Sequence, residues 1–229
     1  MTDPRLLSLL HFADSAFPTG GYAHSFGLER YCQAGIVRDR DGLERFLLIQ
    51  LEGAAGPCDA TAAAAALRAL GRGDLAACRR LDEELEAMKV VREFREGSRQ
   101  MGRQTLRVAA RLTGDPRLGA YLADVDAGRA PGHHAIAFGM SGGALGWDAE
   151  AAATALLYAT TALLVGAALR LMPMGQLEGQ AVLWSLHPVI RRVAREAAER
   201  APGDLWSFTP GQDVQGMLHE RQEARLFRS

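Results

Sequence analysis

Strand signals are nearly missing from this chain, and with them goes any sheet-based fold. Aromatic residues make up 7% of it, β-branched residues are sparse, and no alternating apolar run is bounded by hairpin turns. Cysteine is scarce too. Cys32, Cys58 and Cys78 are odd in number, far apart and without a CxxC pair, so neither a disulfide framework nor a zinc site follows from them. A reducing, cytoplasmic setting is the simplest fit. Lysine occurs once, at Lys89, among 26 basic residues, and these stand against 27 acidic ones. A net charge of -1 excludes a general nucleic-acid binder, whose affinity comes from massed positive charge. The apolar run Leu6 to Phe12 follows Asp3, with no basic region before it and no small-residue cleavage site, so it is not read as a signal peptide.

Helix signals, by contrast, recur from end to end, and a hydrophobic fraction of 48% can supply a substantial core. The expected fold is all-α: a single compact bundle of about ten helices spanning 1–229, with a C-terminal tail at 204–229, docked or mobile. Asp3 and Pro4 pair as N-cap and first helical residue of a helix reaching about His11. Further helices are expected near Tyr22 to Ala34, Gly42 to Leu51, Ala60 to Leu70, and from the cap Asp74 to Met88. Pro57 is expected to interrupt the chain between the third and fourth. Others are expected over Val90 to Leu112, Leu118 to Val125, His133 to Leu145, Asp148 to Met172 and Gly175 to Arg200. The uncharged run Ala151 to Leu169 is long enough to span a membrane. It is mostly Ala, Thr and Gly and lacks basic anchors, so it reads as the central buried helix of a core, with no membrane contact.

The usual catalytic patterns are incomplete. No two histidines sit at i, i+4 beside a carboxylate, and HERQE at His219 lacks the second histidine of a zinc-peptidase helix. Ser25 beside His24 lies in a glycine-rich elbow, but no strand precedes it to make a nucleophile turn. The same elbow, PTGGYAHSFG, lacks the lysine of a phosphate cradle. Two alternatives remain open on residue types alone. One is a small enzyme using His24 with Ser25 or Glu29; the other is a metal chaperone using His133, His134, Met140 or His219. Three segments spend Gly, Pro and amides beside helices: the elbow, Ser98 to Arg103, and Arg170 to Gln180. Such shaped, glycine-marked stretches suit either close helix packing or contact with a partner.

Four blocks in order, and a fifth at the end, carry a family resemblance. They are FPTGGYAHSFGLE at Phe17 to Glu29, SRQMGRQ at Ser98 to Gln104, HHAIAFG at His133 to Gly139, RLMPMGQLEGQ at Arg170 to Gln180, and MLHERQEARLFRS at Met217 to Ser229. Together they resemble the urease accessory protein UreF family. The resemblance implies an all-helical, non-enzymatic scaffold that dimerises. It implies that the scaffold joins UreD (UreH), recruits the nickel-carrying GTPase UreG, and assists nickel delivery to apo-urease, with no cofactor of its own. Residues in matching blocks that become candidate partner contacts are Tyr22, His24, Arg170, Gln176, His219, Arg225 and Phe227. Ala23 and His24 stand where many members carry Ser and Tyr, and Glu223 where an aromatic is frequent. Removing Met217 to Ser229 is expected, from sequence, to weaken assembly and spare the fold.

Overall fold

The computed structural model describes residues 3–229, and among these every regular element is a helix. Helix α1 covers Pro4–Ala13, with the Asp3 carboxylate accepting from Arg5 N at its start. The elbow contains a single 3-10 turn, Gly21–Ala23, and leads into α2, Leu28–Gln33. The helix expected from Tyr22 therefore begins six residues late. Phe26 at φ 48° and Gly27 at φ 88° are left-handed, which no continuous α-helix accommodates.

Asp39 caps α3, Arg40–Gln50, which runs without a break through wide π-type turns at Leu51–Ala60 into α4, Thr61–Gly71. Pro57, expected to interrupt the chain here, is instead absorbed. A proline removes the donor for the carbonyl four residues back and crowds it, and a π-type widening relieves both. That carbonyl, Gly53 O, takes a hydrogen bond from Phe208 N at 2.8 Å, and Pro57 O takes a long one from Trp206 N at 3.4 Å. The segment after residue 204 is thus laid along the widened turns.

Then come α5, Leu75–Met88, started by Asp74; α6, Arg92–Thr113; α7, Pro116–Asp126; and α8, His134–Leu145. The long apolar helix is α9, Ala149–Leu171, started by Asp148 accepting from Ala151 N. The stretch expected as one helix from Gly175 is two, α10 at Gln176–Ser185 and α11 at His187–Glu199. Pro188 cannot donate and forces the break. Helix α12, Pro210–His219, lies within the expected tail, which is docked along its length.

Two apolar clusters share α9 between them. One gathers α4, α5, α6, α7 and α8 around Leu70, Leu106, Tyr121 and Phe138, and includes Ala152 and Leu156 of α9. The other gathers α2, α3, α10 and α11 and includes Ala153, Leu157 and Leu164. Helix α9 is not buried all round: 56% of its most apolar window is inside, and Tyr158 and Gly166 face outward. It is long and apolar enough to cross a membrane by length and composition, yet its inner face is already occupied by protein.

Candidate functional site

The elbow and the end of α9 meet at a clamp built by the last residues of the chain. His219 is fully buried at the end of α12, with its Nδ1 2.6 Å from Glu93 Oε2 and its Nε2 3.2 Å from Glu29 Oε2. Each ring nitrogen thus faces a carboxylate oxygen. Arg225 Nη1 donates to the other Glu93 oxygen at 2.6 Å. Glu29 in turn accepts from Leu226 N at 2.7 Å and Phe227 N at 3.0 Å. Charge-assisted bonds of this kind, inside a low-dielectric site, are the strong class.

The elbow grips the last two residues. Ser229 O accepts from Ser25 N at 2.7 Å, Phe26 N at 3.0 Å and Ser25 Oγ at 2.7 Å. Arg228 N donates to Ala23 O at 2.8 Å. Phe227 is buried under the Arg170 guanidinium, 4.3 Å from ring centre to Cζ, while Arg170 Nη1 donates to Tyr22 O at 3.0 Å. His24 packs against α6 at Gly97, where a Cβ would come within 2.9 Å of the imidazole. Its Nδ1 sits 2.8 Å from Ser229 Oγ and its Nε2 is buried without a partner.

A second buried network lies under the start of α8. Asp82 accepts from Tyr121 Oη at 2.8 Å, Gly132 N at 2.7 Å and His133 N at 2.9 Å. His133 contacts Ser98 Oγ at 3.0 Å through Nδ1 and Glu86 Oε2 at 3.0 Å through Nε2. Gly102 of α6 makes room for it, because any side chain there would overlap the backbone of residues 132–134. This explains the glycine in the Ser98 to Arg103 segment as close packing.

The candidates fall in two groups. His24, His219 and Phe227 are buried and brace the clamp from inside. Tyr22, Arg170 and Arg225 lie at its outer surface, Tyr22 being 79% exposed, and Gln176 is exposed in the first turn of α10 without a hydrogen bond into the clamp. Ser25 Oγ is spent on Ser229, so His24 and Ser25 do not form a base and nucleophile pair. The carboxylates beside His219 lie on opposite edges of the ring, so the three do not converge on one point. Among the described residues no group of three or more His, Cys, Asp or Glu is placed to hold an ion.

Residues 37–187 match the UreF family. The chain is 37% identical over 228 residues to the urease accessory protein UreF of Paenarthrobacter aurescens (strain TC1), covering 97% of each. It is 32% identical to that of Bacillus sp. (strain TB-90), covering 98% of this chain and 99% of the relative, and 34% identical to that of Corynebacterium glutamicum (strain R), covering 96% of each. The chain belongs to the UreF family. Of the clamp carboxylates in this UreF chain, the sequence raised Glu29 only as a possible catalytic partner of His24 and did not single out Glu93. Each sits on a helix flank next to an apolar neighbour, Leu28 or Phe94, and only that adjacency could have marked it as inward-facing.

Burial makes the stability of this UreF chain pH-dependent. It pushes the His24 pKa down from 6.5 to about 4, with Arg228 adding to the effect, and lowers that of His133 as well, aided by Lys89, Arg99 and Arg95. Below pH 6.5 the unfolded chain takes up these protons and the folded chain does not, so stability falls as pH drops from about 6.5 towards 4. The expected slope is about 1.4 kcal/mol per pH unit for each histidine. Urea midpoints measured at pH 7, 6 and 5 check this; a flat profile would mean that both rings open to solvent.

Proposed function

We propose that this chain is a non-enzymatic scaffold for nickel insertion into urease. It joins UreD (UreH), recruits the GTPase UreG, and helps nickel, as cargo, reach apo-urease in the cytoplasm. The observation that supports this most is the convergence of the elbow, α6, the end of α9 and the chain's last residues on one clamp. Buried ion pairs fix its interior, while Tyr22, Arg170 and Arg225 stand outside. A cross-linked surface of this kind suits a docking face, where preorganised side chains lose little entropy on binding. Gln176, on the adjoining α10, is assigned to the same contact role. Pairing with a second copy is supported by the open side of α9. There Tyr158 lies near His187, whose ring centre is 4.9 Å from that of Trp184 with the planes tilted by 50°, and Trp184 is 74% exposed.

Co-purification with UreD, UreG and apo-urease tests the reading. The intact chain is expected to form the complex, and Tyr22→Ala with Gln176→Ala, both exposed and neither donating a side chain to the clamp, is expected to weaken it by about 2 kcal/mol or more, with the fold retained. Failure of the intact chain to enter any complex would remove the proposal. The mass of the purified material reports on the pairing.

A further inference from the structure

We propose that the groove between the elbow and α6 binds an acidic polypeptide segment of a partner. The groove has a volume of about 680 Å³ and is lined by Thr19, Gly20 and Tyr22 of the elbow, by α6, and by Val125 and Pro131. Along α6 its floor carries Arg99, Arg103 and Arg107, spaced one helical turn apart, with Gln100 and Gln104 between them. Among the described residues no carboxylate lines it.

The acids nearby stay at the edges. Glu86 reaches Arg99 at 3.5 Å from behind, and Asp126 reaches Arg103 at 2.6 Å from α7. Arg107 bonds the Gln104 amide oxygen at 3.1 Å and has no ion pair among the described residues. A chain with net charge -1 thus gathers three guanidiniums in one groove and leaves one of them without a counter-charge. Guanidinium forks bind carboxylates in a two-point, planar fashion. A rise of about 6 Å over four residues of α6 matches carboxylates at i, i+4 on a facing helix. It also lies close to the spacing of about 6.7 Å between alternate residues of an extended strand.

Two features favour a polypeptide over a nucleic acid. Tyr22 is the sole aromatic among the residues lining the groove, whereas single-strand binders present successive stacking platforms. Duplex binding calls for a wider positive field than this chain carries. The inference concerns the chemistry of the groove and holds for any partner that offers such a segment, so its failure would leave the scaffold role untouched.

Fluorescence anisotropy on the full chain tests it, with a labelled helical peptide carrying Glu at every fourth position and a twin carrying Gln instead. The Glu peptide is expected to bind in low salt and to be released as salt rises, and the Gln peptide is expected not to bind. Arg107→Glu, with circular dichroism showing the fold intact, is expected to weaken binding roughly tenfold or more. Arg107→Gln should weaken it less, and Arg195→Glu, exposed on α11, should leave it unchanged. Equal binding of the two peptides, or full binding by Arg107→Glu, would overturn the proposal. So would tighter binding of a single-stranded oligonucleotide that displaces the Glu peptide.

Discussion

A chain cut after Gly216 is expected to lose more than about 4 kcal/mol of unfolding free energy, enough to leave many domains largely unfolded. The cut removes His219, Arg225 and the amides of Leu226 and Phe227, and so strips the buried carboxylates of Glu29 and Glu93 of the side-chain and amide donors that hold them, leaving Glu29 its link to Gln33. Leaving a buried charge without its counter-ion costs about 3–5 kcal/mol on its own. Phe227, 4% exposed, would also vacate its place between α9 and α2, a loss of about 2–3 kcal/mol in apolar burial. This reverses the expectation from sequence that residues 217–229 could be removed with the fold intact. Glu29→Ala isolates the electrostatic part in a full-length chain and is expected to cost about 3 kcal/mol or more. Glu29→Gln, whose amide oxygen still accepts from one backbone N–H, is expected to cost less. Thermal unfolding followed by circular dichroism decides it: a truncated chain melting within a few degrees of the full one would return the last residues to the surface.

The fold was legible wherever a local rule settles the outcome. Asp3 and Asp74 cap the helices they were expected to cap, and Asp148 caps the helix expected to start there, because an N-cap needs only its own side chain and an amide two or three residues on. Helix against strand was equally clear from periodicity. What stayed hidden depends on partners far along the chain. Glu29 meets His219 across 190 positions and Glu93 meets it across 126. Nothing near either residue announces that meeting. Phe227 between arginines has the composition of an interface anchor, yet its ring is turned inward, and Arg170 supplies the cation from another helix. The break at Pro188 and the absence of one at Pro57 show the same limit. The same residue type ends a helix in one place and is absorbed in the other, where the neighbouring segment satisfies the carbonyl that the proline leaves free.

Two alanine substitutions at helical glycines are expected to move stability in opposite directions. On α8, a Cβ at Gly139 would overlap the carbonyl group and Cα of Ala63 on α4, and one at Gly143 would come within 2.7 Å of Leu67 O. These glycines, four residues apart, let α8 lie directly on the alanine-rich face of α4, where Ala62 to Ala66 are all buried. The obstacle at Gly139 is backbone, which cannot swing aside as a long side chain can. Gly139→Ala should therefore push two core helices apart and cost about 3 kcal/mol or more, well beyond the gain of about 1 kcal/mol in helix propensity. Gly119 lies on the exposed side of α7, where an added methyl group meets nothing within 4 Å. There the propensity term acts alone, and Gly119→Ala should stabilise the chain by about 0.5–1 kcal/mol. Urea unfolding of both variants beside the parent gives the comparison. Wild-type stability in Gly139→Ala would show that α4 and α8 can separate at little cost, and the contact that joins α4 to α8 would then not be what fixes the core.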